Sequence, residues 1–253
     1  MQLFALVAKA ENFSDTGRKV VKVFLEQQLN KELVAHYLTV FDEFFLEYHG
    51  SPDEADDKKK KRISRSSVKI LKICMAINAE LTQKQKVIVL FRLLEFVNSD
   101  DSIDAQELEF VNTVSDSFNI DEQEFFRCLH FVKADLNDPQ DSDNILVVNG
   151  KEGKELKRAH HILSEGLHGE IRVLSIQSVS LYVFKYFGTD TLFMNGQPVR
   201  TGRVNILSPG ASIRASALNP IYYSDIVGRF LQASTDHKLT FEIQDVEFFF
   251  PNG

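Results

Sequence analysis

Two kinds of hydrophobic pattern divide the chain. Up to about residue 135, apolar residues recur at three-and-four spacing with almost no Gly or Pro, the period of amphipathic helices. "SDTGRKVVKVFLEQQL" places Val20, Val21, Phe24 and Leu25 on one side, and "KELVAHYLTVFDEFFLEY" does the same with Leu33, Tyr37, Phe41, Phe44 and Phe45. "KVIVLFRLLEFV" differs, because apolar residues surround nearly its whole circumference, which predicts a central helix enclosed by others. After "ADLNDPQDSDN" the pattern shortens to β-type runs: "NILVV", "AHHIL", "EIRVLSI", "SVSLYVFKYF", "TLFM", "ASIRAS" and "LTFEIQDVEFFF". Turn compositions, "NGKEG", "NGQP" and "SPG", punctuate them. The prediction is an α+β chain of two domains, an all-α helical bundle over 1–135 and a mostly-β domain over 144–253 built as a sandwich or small barrel. A polar linker between them makes relative motion the default expectation.

Composition narrows the function classes. With 43% hydrophobic and 26% charged residues the chain is a globular protein. Its formal charge of -7 argues against a dedicated nucleic-acid binder, which needs a basic stripe to replace phosphate counterions. "SPDEADDKKKKRISRSS", residues 51–67, sets a basic block beside an acid block that largely cancels its field, and is expected to be a solvated loop. Cys74 and Cys128 sit in apolar helical patterns and read as small buried hydrophobes. "VIVLFRLLEFV" is interrupted by Arg92 and Glu95 and the N-terminus lacks a secretory pattern, so the chain is expected to be cytoplasmic and to span no membrane.

The densest acidic stretch, "VNSDDSIDAQELEF", is not a calcium loop of the EF-hand type. With Ile103 at the eighth position, Phe96 falls where the first ligand belongs and Asp101 where the Gly belongs. "DAQE" instead has the pattern of a capping box, in which the Asp104 carboxylate accepts from the Glu107 amide and Glu107 reaches back to the Asp104 amide. "DEQE", Asp121 to Glu124, is expected to repeat the device for the next helix.

"VIVLFRLLEFVNSDDSIDAQELEFVNTVSDSFNIDEQEF" resembles the second half of a TerB-like domain, the tellurite-resistance-associated helical domain related to the N-terminal region of the membrane-anchored DnaJ-like co-chaperone. Asp100 matches that family's turn Asp, Asp101 replaces its Gly, Ile103 is the apolar residue and Glu107 matches its helix Glu. "LFALVAKAENFSDTGRKVVKVFL" resembles the first half, with Glu11 at the turn Asp and Asn12, a residue tolerant of positive φ, at the Gly. Gly17 stands where the helix Glu would be. The resemblance covers about residues 1–131 and implies a divalent cation such as Ca²⁺ held by Glu11, Asp100, Asp101, Asp104 and Glu107.

"TLFMNGQPVRTGRVNILSPGASIRAS" is similar to the end of a forkhead-associated domain through Asn195-Gly196 and Pro209-Gly210, but the phosphothreonine-binding Arg and Ser-Arg-x-x-His signature is absent. The His residues of "AHHILSEGLH" fit no standard zinc spacing. The last residues, "LTFEIQDVEFFFPNG", resemble the opening strand of an ATP-binding-cassette nucleotide-binding domain, and equally suit a final strand of the β domain. "GKEGKE" has two residues where a phosphate loop needs four, and no nucleophile elbow or zinc-protease helix occurs.

The expected function is a non-enzymatic regulatory or protein-interaction module, placed ahead of a transporter ATPase or membrane domain in the same polypeptide and so at the inner face of the membrane. A divalent-metal-binding stress-response protein of the tellurite-resistance type is the second expectation, and a phosphopeptide-binding module the third.

Overall fold

A computed structural model describes residues 1–8, 15–26, 30–49, 59–99, 103–138, 140–151, 157–216 and 218–234. The helical part contains α1 Gln2–Val7, α2 Asp15–Glu26, α3 Lys31–His49, α4 Lys59–Glu80, α5 Gln83–Val97, α6 Ala105–Ser117 and α7 Glu122–Lys133. Helix α5 is central as its all-round apolar pattern requires: Val87, Leu90, Phe91, Leu93, Leu94 and Val97 are all buried, and it packs on α1, α6 and α7. Its start carries a capping box between Thr82 and Gln85. Both cysteines are free and buried, and burial pushes the Cys74 thiol up to about 11 and the Cys128 thiol higher still, as inert core thiols require.

Two expectations about the helices need correction. On α3 the buried residues are Val34, Leu38, Phe41 and Phe45, while Leu33 and Tyr37 are exposed. Both sets satisfy the helical period because α3 is apolar on more than one side. Tertiary contacts choose between them: His49, stacked on Phe45, bonds through Nε2 to the Ala5 carbonyl and turns the helix onto α1. The basic half of the expected 51–67 loop, from Lys59, is the first part of α4, as Lys and Arg, good helix formers, allow. Residues 51–58 lie outside the described residues.

The β part contains β1 Ile145–Asn149, β2 His160–Leu163, β3 Gly169–Ile176, β4 Leu181–Gly188, β5 Phe193–Met194, β6 Gln197–Pro198, β7 Asn205–Leu207, β8 Ser212–Ala215 and β9 Leu218–Tyr222, followed by α8 Tyr223–Ser234. They form two open sheets, β2-β1-β3-β4-β7 and β6-β5-β8-β9, with β1 and β2 parallel and the other pairs antiparallel. Among the described residues neither sheet closes into a barrel. The β5–β6 hairpin turns on Asn195 and Gly196 at φ 51 and 81, the double positive φ that the Asn-Gly pair predicts.

The larger sheet is buried on both faces, which explains why β3 and β4 are nearly continuous apolar runs. Leu146, Val148, Ile171, Val173, Phe184 and Tyr186 share one core with the smaller sheet and with Ile226 and Phe230 of α8. From the opposite face Ile145, Val147, Leu174, Ile176, Leu181 and Val183 join the helical core. The two parts therefore pack through shared apolar surface, contrary to the mobility expected from the linker composition.

Candidate functional site

The acidic turn folds as a cap. Asp104 Oδ1 accepts from the amides of Gln106 and Glu107 at 2.9 and 2.8 Å, and Glu107 Oε2 accepts from the Asp104 amide at 3.0 Å. Three of the orphan donors that every helix N-terminus presents are thereby satisfied. The structure brings Asp104 and Glu107 together, with Glu107 buried; Glu11, Asp100 and Asp101 lie outside the described residues. Among the described residues no three His, Cys, Asp or Glu side chains gather as a metal ion would need. A cation drawing on Asp104 and Glu107 would compete with their bonds to backbone amides.

The second "D-x-x-E" pattern folds differently from the expected repeat. Asp121 Oδ1 accepts from the amides of Gln123 and Glu124 at 3.0 and 3.2 Å, but Glu124 does not reach back. Its buried carboxylate instead accepts from the Ser178 hydroxyl at 2.7 Å, across the boundary between helices and sheet. Ser178 lies on a 3-10 turn, Gln177–Val179, between β3 and β4.

The other end of α7 is held by the same two strands. Arg172 of β3 and Lys185 of β4 are direct cross-strand neighbours, and both are buried. Two like charges placed opposite each other on a sheet repel. Here Lys185 points at the negative end of the α7 dipole, where carbonyls lack intrahelical partners, and Arg172 at the carbonyls of the turn that follows. Lys185 Nζ donates to the carbonyls of Val132 and Ala134 at 3.0 and 2.7 Å. Arg172 donates to those of Asp135, Leu136 and Asp138 at 2.9, 2.9 and 2.5 Å, and also to Glu170. Burial, with the Arg172 and Arg203 charges adding to it, lowers the Lys185 pKa to about 8, against attraction from Glu95 and Asp135. A third charged bridge joins the two parts: Arg92 donates to Glu95 and to the Val204 carbonyl, while Glu95 accepts from the Val204 amide at 2.9 Å.

The turn so fixed walls an open groove of about 920 Å³ along the outer face of α7. Gln123, Phe126, Arg127, Leu129, His130 and Lys133 line it from the helix, Asp135 and Asp138 from the turn. Phe126 is 51% exposed, a large apolar surface left in water. His130 pairs with Asp138 at 2.9 Å, and Asp135 Oδ1 accepts from the amides of Asn137 and Asp138 at 2.7 and 3.2 Å. Both carboxylates are thus engaged within the groove wall. Arg127 and Lys133 have no ion-pair partner among the described residues.

The helical architecture and its capped acidic turn agree with a comparison against known families, in which the model described as "Tellurite resistance protein TerB" matches residues 1–130. The chain belongs to the TerB family. No curated protein and no solved structure matches it. The forkhead-associated and ATP-binding-cassette resemblances accordingly rest on their own sequence motifs. The TerB match ends inside α7, so the groove is shared: Gln123 through His130 belong to the TerB region, and Lys133, Asp135 and Asp138 to the segment that the β strands hold.

Sequence reasoning read Glu124 only as the end of a second capping box and did not single out Arg127, His130, Lys133, Arg172 or Lys185. A signal existed for the last two. Each is a lone cation inside a strand whose flanking residues are apolar on both sides, "IRV" and "FKY", and a charge on a two-sided buried strand requires a partner from the layer above. No described helix is long and apolar enough to cross a membrane.

Proposed function

We propose that this TerB-family chain is a non-enzymatic protein-interaction module in which the TerB helices and the β part form one platform and a protein partner lies in the α7 groove. The observation that carries the reading is the groove itself: an exposed aromatic, and two cations without an ion-pair partner among the described residues, on a helix pinned at both ends from the neighbouring sheet. Exposed apolar surface beside rigid polar groups is the anatomy of a recognition surface. The reading extends to a partner in the same polypeptide, a transporter ATPase or membrane domain, supported by the likeness of "LTFEIQDVEFFFPNG" to the start of such an ATPase. That stretch lies outside the described residues.

A photoreactive phenylalanine analogue at Phe126, with Tyr222 on the smaller sheet as the control site, tests the platform in the native host. A discrete adduct at position 126 that disappears with Arg127→Glu supports it. Adducts no different from those at position 222 overturn it. For the transporter extension, a parent reading frame that stops at Gly253 would be contradictory.

The second reading, a divalent-cation-binding protein of the tellurite-resistance type, is supported by family membership and by the proximity of Asp104 and Glu107. Millimolar Ca²⁺ would then raise Tm, and Asp100→Asn with Asp104→Asn would abolish the rise. An unchanged Tm rejects it.

A further inference from the structure

We propose that the outer face of α4 rests on an anionic lipid surface, a contact separate from the α7 groove. Residues 59–67, expected as part of a loop, are helical, so cations that a loop would scatter are ordered along one axis. From Lys59 to Glu80 the helix carries seven Lys and Arg residues and one carboxylate, Glu80. At about 100° per residue, positions Lys61, Arg65, Val68, Lys72 and Met75 share an arc of about 80°, and the three cations among them span about 40°. The opposite side holds Ile70 and Cys74, both buried. On the outer side Val68, Leu71 and Met75 are 52%, 47% and 71% exposed, a larger apolar stripe than scattered surface residues give. Lys72 beside them is exposed and has no ion-pair partner among the described residues. Glu80 lies about two turns beyond Lys72 and about 80° round from it.

This charge pattern is unfavourable for the helix alone. Four cations fill positions 59–62 with no acidic residue in the first turn, at the end whose dipole favours anions. The acid block within 53–57 offsets them over a Debye length of about 8–10 Å. At a rise of about 1.5 Å per residue, Lys69 and Lys72 lie about 15 and 20 Å along the axis from Lys59, beyond that reach. Lys69 is held over the Tyr48 ring at 4.5 Å, which leaves Lys72 to flank the apolar stripe. Aliphatic side chains among lysines select a bilayer over other anionic partners. Lys is depleted from protein interfaces. Nucleic-acid phosphates would leave the stripe in water, and base stacking needs aromatic rings, which the arc lacks. Headgroup phosphates attract Lys and Arg while the acyl boundary takes up Val, Leu and Met. The buried side of α4 stays in the helical core, so the helix lies along the surface and only its outer stripe enters.

The test uses the full chain and phosphatidylcholine vesicles with or without added phosphatidylglycerol. In flotation at low salt the chain should rise with the anionic vesicles and not with the neutral ones, against its formal charge of -7, and high salt should release it. Arg65→Gln with Lys72→Gln should lower the partition coefficient about tenfold or more. Val68→Ser with Met75→Ser should lower it by a similar factor at unchanged charge. Matched Tm values establish that the fold is kept. The chain contains no Trp, so Met75→Trp supplies a lone reporter that reads the contact even where a double variant fails to fold. Its emission should shift to the blue, and be quenched by brominated acyl chains, with anionic vesicles only. Absence of flotation, equal partition into both vesicle types, double variants that float like wild type, or a reporter that stays in water overturns the inference. A blue shift without vesicles that grows with protein concentration also overturns it and gives the face to a second copy of the chain. One produced by an oligonucleotide overturns it in favour of nucleic acid.

Discussion

The sequences "DAQE" and "DEQE" share a pattern and a first step, and then diverge. Asp104 and Asp121 each accept two amides at the start of a helix. Glu107 closes its box locally, while Glu124 turns away to Ser178 of the sheet. A capping Asp needs only its own helix, whereas the third helical residue is free to choose the better acceptor role that packing offers it. The contrast continues along α7, whose far end is capped by Lys185 and Arg172, residues more than thirty positions away in sequence. Helix α6 is thus started by its own chain, and α7 is clamped at both ends by the β part.

The largest effect should come from cutting the clamp. Arg172→Met leaves Glu170 and the carbonyls of Asp135, Leu136 and Asp138 without their donor, and should cost about 3 kcal/mol or more by urea unfolding. A smaller, pH-dependent effect belongs to Lys185. Its folded-state pKa of about 8 lies below the ordinary 10.5, so between those values the unfolded chain binds more protons and stability rises with pH. Wild type should therefore gain on Lys185→Met as pH increases from about 8 toward 10.5, and the gain should be lost as pH falls back through 8. A flat difference contradicts a buried, charge-penalised amine.

Smaller again are the two caps. Asp104→Ala and Asp121→Ala should each cost about 1 kcal/mol, because the local step is the same in both helices. The finest distinction is a double-mutant cycle. Glu124→Gln with Ser178→Ala should show coupling of about 0.5–1 kcal/mol, and Glu107→Gln with Ser178→Ala none. Coupling of equal size in both cycles would erase the comparison.

What was legible in the sequence is what short-range chemistry decides. The central helix α5, the Asp104 capping box, the Asn195-Gly196 hairpin and the β runs around β1 to β5 and β8 follow from period, cap and turn residues. Helix α8 was missed although Ile226, Val227 and Phe230 have helical spacing and Asp225 Oδ2 accepts from the Tyr222 amide at its start; the adjoining β pattern masked it. On α3 Phe41 and Phe45 were read correctly, whereas Leu33 and Tyr37 lie one position before the buried Val34 and Leu38, because the sequence offers two apolar stripes there. The groove and the clamp depend on which layer covers β3 and β4, and no local pattern contains that information. Of the five proposed carboxylates, Asp104 and Glu107 were read as a capping pair from four residues, which is as far as local spacing reaches.

The central claim is that the TerB helices and the β part behave as one cooperative body. Hydrogen exchange across a denaturant series measures this directly, comparing core amides of α5 and α6, such as Leu93 and Val111, with those of β3 and β4, such as Val173 and Phe184. The account predicts one common opening free energy for both sets, falling together in Arg172→Met. Strand amides that exchange through a separate, lower-energy opening while the helices stay protected would contradict it.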